Sequence, residues 1–227
     1  ALLLDPGQEI RDRQLAHLQA HADPGVFELL GEISPQMDGL DIGFRLPLID
    51  LAITALKQLS HDQYRAFRDN LLALIEMDAR VGLMEWTLQK ILFNHLDGQF
   101  FKLTHARRRY SSVGRLGREI ELLLSVVAHA GHPEQDNVRA AFDAAANSLG
   151  IDGLRLIEKS KINLADLDRS LQKLQSLKPS AKPRILMACA ASVVNDQIIS
   201  AHEVELLRAF SDVLECPLPP IIPPRSN

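Results

Sequence analysis

Cysteine is scarce in this chain, and that scarcity is the first constraint on it. Cys189 and Cys216 are the only two, too few for a disulfide framework and in keeping with a reducing compartment. Strand signals are equally thin: no run alternates β-branched with polar residues between hairpin turns, which argues against a sandwich or barrel. Long apolar runs are missing. The longest uncharged ones, around Leu122–Ala130 and Ile185–Val194, fall well short of the roughly 20 residues that span a bilayer as a helix. There is no excess of basic charge, since 25 Lys and Arg face 29 Asp and Glu for a net charge of -4. Broad nucleic-acid binding, which needs such an excess, is not expected. Nucleophile and phosphate motifs are absent as well: no G-x-S-x-G, no G-x-G-x-x-G after a strand and no P-loop. His202-Glu203 opens like the HExxH of zinc proteases, but Leu206 stands where the second His would be. These residues are therefore expected to carry no catalytic activity of their own.

What remains is an ordinary globular composition, 46% hydrophobic and 24% charged over 227 residues, with apolar residues recurring at helical spacing. The expected fold is all-α. A pattern occurs twice: Asp78-x-x-Val81-x-x-x-Glu85 and Asp196-x-x-Ile199-x-x-x-Glu203. Each follows an apolar helical run, and each leads into another amphipathic one. This predicts two helix–corner–helix units, near 60–96 and 183–215, within a bundle over 46–216. Residues 1–45, with Asp5-Pro6-Gly7 and Asp23-Pro24-Gly25 as helix starts and Ser34-Pro35 opening a further turn, read as an N-terminal helical arm or linker. The expected buried face of the next helix is Leu48, Leu51, Ala52, Ala55, Leu56 and Leu59. Ser60 and Gln63 form a capping-box signature, and Trp86 falls on an apolar stripe of a helix that Asp97-Gly98 should end. Asn163 should cap another helix, and Gly150 should stop one. The proline-rich residues 217–227 should leave the bundle as an extended tail. Because the chain opens at Ala1 with neither an initiator Met nor a signal segment, it is expected to be a piece of a longer protein.

Two readings of the repeated acidic residues are open. Glu85 and Glu203 can cap the helices that follow them, Ser200-x-x-Glu203 being itself a capping box. Alternatively, Asp78, Glu85, Asp196 and Glu203 converge as oxygen ligands for a hard divalent cation, calcium or magnesium. His17 and His21, one helical turn apart, would need further ligands to hold zinc and read as helix surface. His129 and His132 read as helix-end residues. Arg107, Arg108 and Arg109 lie in the most basic stretch, which is either a solvated loop or a contact for an anionic membrane surface or acidic partner.

The two copies, MDARVGLMEWTLQKIL and NDQIISAHEVELLRAF followed by LECPLPP, resemble the repeat of TerB-like (tellurite-resistance B) helical domains. That resemblance implies a compact all-α bundle whose acidic residues, here Asp78, Glu85, Asp196 and Glu203, can bind divalent metal. With LLLDPGQEIRDRQLAHL and LPLIDLAITALKQLS, the chain also looks like the region following the peptidase domain in HtpX-like membrane zinc metalloproteases. The implied role is a soluble, cytoplasm-facing regulatory or partner-binding domain of an inner-membrane protein. It would work on its own peptidase domain or on another protein, with zinc and HExxH lying upstream. Two alternatives are a free-standing TerB-like cation-binding stress-response protein and a structural oligomerisation module.

Overall fold

The computed structural model describes residues 1–77, 82–102 and 109–218. Among them are ten α-helices and short 3-10 turns, and the only β-pairing is an isolated bridge between Tyr110 and Leu177. The all-α expectation holds. The chain forms two compact units, Ala1–Leu103 and Thr104–Asn227.

The first unit holds α1 (Gln8–His21), α2 (Val26–Met37), α3 (Arg45–Leu56), α4 (His61–Met77) and α5 (Leu83–Phe100). Residues 1–45, read above as an arm, lie within it, because α1 is fastened to α4. Buried Gln14 donates from Nε2 to the carbonyls of Leu3 and Leu74, and its Oε1 accepts from the Asp5 N–H. The His17 ring Nε2 lies 2.9 Å from Asn70 Oδ1, while Asn70 Nδ2 donates to the His21 carbonyl. His17 is thus a half-buried link between helices rather than helix surface. The capping box of α4 forms as expected, with Ser60 N–H donating to Gln63 Oε1 and Gln63 N–H to Ser60 Oγ.

Three local expectations change. Ser34-Pro35 does not open a new turn: α2 runs through Pro35, whose missing N–H bond falls opposite exposed Gly31, where water can serve the carbonyl. In α3 the buried residues are Ile49 and Ile53, while Leu51 points to solvent. A helix that is apolar nearly all round gives periodicity no way to choose its inner face. Asp97-Gly98 does not end α5 either, because Asp97 stays helical and accepts hydrogen bonds from Tyr64 and Arg68 of α4.

The second unit is organised on α6 (Gly117–Gly131), whose side chains from Leu122 to Ala128 are all buried. Around it lie α7 (Gln135–Leu149), α8 (Leu164–Gln175), α9 (Lys182–Val193) and α10 (Ala201–Val213). Gly150 closes α7 in the left-handed region at φ 65°, and Asn163 Oδ1 accepts from the Asp166 N–H to start α8, both as expected. His129 is more than a helix-end charge: its Nε2 lies 2.9 Å from the Ile157 carbonyl. Ser125 Oγ accepts from the Ile157 N–H. Together they moor the extended segment before α8 to α6.

The two thiols have different surroundings. Cys189 is wholly buried in α9 and its thiol is pushed up to about 12 by burial, whereas Cys216 is half-buried, its thiol raised by burial and partly offset by Lys182. Because the thiolate is the reactive form, iodoacetamide at pH 8 should label Cys216 in the folded protein and Cys189 only after denaturation. Equal labelling of both without denaturant would contradict the packing of α9.

Candidate functional site

Of the residues singled out for a cation, Asp78 lies outside the described residues, as do Arg107 and Arg108 of the basic stretch. Arg109 is exposed, and its backbone N–H donates to the Ser176 carbonyl. Glu85 stands in the first turn of α5 with its carboxylate folded back over the N-cap residue, Gly82. Glu203 does the same in α10, more tightly. Its Oε2 accepts from the Ser200 N–H at 2.9 Å and the Ser200 hydroxyl at 2.7 Å, and Ser200 Oγ accepts from the Glu203 N–H. Glu203 therefore makes the capping box that its spacing predicts, while Glu85 takes the same folded-back pose without a cap hydrogen bond.

The bend at Asp196 holds more than a cap. Asp196 Oδ1 accepts from the Ile198 N–H, and its Oδ2 lies 3.3 Å from Nε2 of buried His132, off the line of a hydrogen bond. His132 Nδ1 is 3.2 Å from the Ala128 carbonyl. Glu203 is 1% exposed, and its Oε1 has no hydrogen-bond partner; it rests against Gly131, the last residue of α6. The end of α6 and the bend before α10 thus meet through His132 with Asp196 and Gly131 with Glu203. The sequence carries no signal for this pairing, since helix periodicity does not say which bends meet. Among the described residues, no three His, Cys, Asp or Glu side chains come together as a metal-ligating group.

A concave feature that was not foreseen lies in the first unit. It is a cavity of about 520 Å³, within the usual range for ligand sites. Leu18 of α1, Leu71 and Leu74 of α4 and Leu88 of α5 form a buried floor. The walls are α2, through Val26, Leu30 and Met37, and α3, through Leu48, Ala52 and Leu56. Asp23 supplies the only charged side chain in the lining. Asn70, also in the lining, is already bonded to His17 and His21 and offers a ligand little.

The signal that could have found the groove is the composition of α2. Leu29 and Ile33, four apart, are 53% and 38% exposed, although Val26, Leu30 and Met37 on the same helix line the cavity. A helix apolar on both sides normally lies buried between neighbours. Here one of its apolar faces is open.

No described helix is long and apolar enough to cross a membrane. Searches of family models, curated proteins and solved structures find no match to this chain.

Proposed function

We propose that this chain is a non-catalytic, partner-binding region of a membrane-tethered zinc metallopeptidase of the HtpX-like kind, with TerB-like helical units facing the cytoplasm. The observation that carries the binding role is the apolar groove of the first unit, a site suited to holding an apolar surface rather than to bond making or breaking. The peptidase parent rests on the resemblance of the segments before α1 through α5. Its test is the complete reading frame together with one variant. An HExxH motif flanked by membrane spans is expected upstream, and its absence ends the peptidase reading. In the full-length protein, Ala52→Trp, which fills the groove from an exposed wall position, should change the cleavage rate of a reporter substrate at unchanged zinc content. An unchanged rate removes the regulatory role.

A second reading, cation binding in a free-standing TerB-like protein, is favoured by one feature: the buried, unpartnered Oε1 of Glu203. Calcium or magnesium at 100 times its dissociation constant should stabilise the fold by about 2.7 kcal/mol. That gain should disappear in Glu85→Gln/Glu203→Gln. If wild type and the double variant melt alike with and without cation, the cation reading is lost.

A further inference from the structure

We infer that a second copy of this chain covers the outer face of α9, the two helices running antiparallel about a two-fold axis between Ala190 and Ala191. This concerns the second unit and does not draw on the groove of the first. The inner face of α9, with Ile185, Leu186, Ala188, Cys189 and Val193, is buried, and the helix packs on α6 and α7. Its outer face is apolar as well. Met187 and Val194, two turns apart and so on the same side of the helix, are 62% and 53% exposed. Ala190 and Ala191 lie half-buried between them, and Pro183 is exposed one turn before Met187. Residues 185–195 include no charged side chain. A helix apolar on both sides is normally covered on both.

Spacing chooses the occupant. Met187 and Val194 stand equally far from the midpoint between Ala190 and Ala191, one on each side. A copy turned end for end therefore sets Met187 of each chain against Val194 of the other. At the middle, alanine meets alanine, and such small side chains let helix axes approach closely. Large groups fill the ends and small ones the centre, which is the self-complementarity that an isologous interface requires. Charge sets the same direction. Arg184, exposed at the start of the face, donates to the Leu149 carbonyl and has no carboxylate partner among the described residues. Exposed Asp196 stands in the bend beyond the other end, and no Lys or Arg follows Arg184 until Arg208. Antiparallel copies bring the arginine end of each to the aspartate end of the other, whereas parallel copies oppose like charges. The face is one helix wide and twelve residues long, roughly 18 Å, which suits a weak and reversible contact.

The test is sedimentation equilibrium of the intact chain from low to high micromolar concentration, where a reversible monomer–dimer equilibrium is expected. Met187→Glu alone and Val194→Lys alone, both at exposed positions that leave the core untouched, should each weaken dimerisation at least tenfold, because each presses a charge on an apolar side chain. The two substitutions combined in one chain should restore it to within about threefold, since each new carboxylate then meets a new ammonium across the axis. Seven residues apart, the two positions are too distant to pair within their own helix. A chain that stays monomeric throughout would overturn the inference, and so would a dimer indifferent to Met187→Glu, which must lie on another surface. Loss in both single variants without recovery in the double one would overturn the antiparallel arrangement. Retention of a monomeric chain on neutral phospholipid vesicles, abolished by Met187→Glu, would overturn it in favour of a lipid surface.

Discussion

Gly131→Ala should unfold the second unit at a markedly lower temperature than wild type, although alanine is the better helix former. Gly131 is the last residue of α6 and is not among the residues with positive φ, so its backbone does not require glycine. Space does. A Cβ there would overlap the Oε1 and Cδ of Glu203. Glu203 cannot swing aside without surrendering both Ser200 hydrogen bonds, and it has no water to swing into. Overpacking costs about 1–3 kcal/mol and loss of the capping box ~1 kcal/mol, against a gain of up to ~1 kcal/mol from helix propensity. The net is a loss of roughly 1–3 kcal/mol, or a drop of roughly 4–12 °C in Tm. Glu203→Ala forfeits the cap but empties the space. In that background Gly131→Ala should be neutral or stabilising, a coupling that a double-mutant cycle measures directly. A single Gly131→Ala variant melting at or above wild type would mean that α6 and α10 do not meet as described.

The second large effect is expected at Asp97. Tyr64 is fully buried, its hydroxyl donates to Asp97 Oδ1 at 2.7 Å, and Arg68 Nε donates to the same oxygen at 3.2 Å. The Arg68 guanidinium lies 4.5 Å from the centre of the Phe93 ring, and Tyr64 stacks on Phe100 at 4.2 Å. Asp97→Ala strands the tyrosine hydroxyl where solvent cannot replace its acceptor, at about 1–3 kcal/mol. It also removes the partner of a half-buried cation, for up to ~1 kcal/mol more. Tyr64→Phe removes the hydroxyl itself and leaves Asp97 with Arg68, so its cost should be about 1 kcal/mol. Urea unfolding should rank Asp97→Ala well below Tyr64→Phe, and the double variant should lose less than the sum; equal losses would dismiss the network. The same contact gives a pH signature. Burial, and then the Asp97 bond, raise the Tyr64 phenol above its usual value of about 10. Above that value the unfolded chain ionises where the fold does not, so stability falls as pH climbs past 10. Tyr64→Phe should flatten that alkaline limb.

What could be read from the chain was local, and what could not was relational. Ser60 with Gln63, Ser200 with Glu203, Asn163 and Gly150 all act within a few residues of themselves, and each does in the structure what its spacing predicts. Asp97 was misread as a stop signal because its partner, Tyr64, sits on another helix. The buried face of α3 was misassigned because Leu48, Leu51, Ile49 and Ile53 are equally apolar, and only the neighbours decide which turn inward. The groove is a space between helices, and no residue pattern states it. Of the acidic quartet, the structure supplies capping for Glu203 and a histidine neighbour for Asp196. Nothing in their spacing foretold His132.

The attachment of α1 carries a last consequence. Its buried residues are only Gln14 and Leu18, so a few polar contacts, Gln14 to Leu74 and Asn70 to His17 and His21, rather than a broad apolar stripe fasten it to α4. Such a fastening comes undone as a whole: once Gln14 lets go of Leu74 and Asn70 of His17 and His21, the segment departs in one piece, Leu3 and Asp5 still held to Gln14. In amide-exchange terms the first twenty-odd residues should behave as one early-opening cooperative segment, and its excursions would bare Leu18 and, with it, the floor of the cavity.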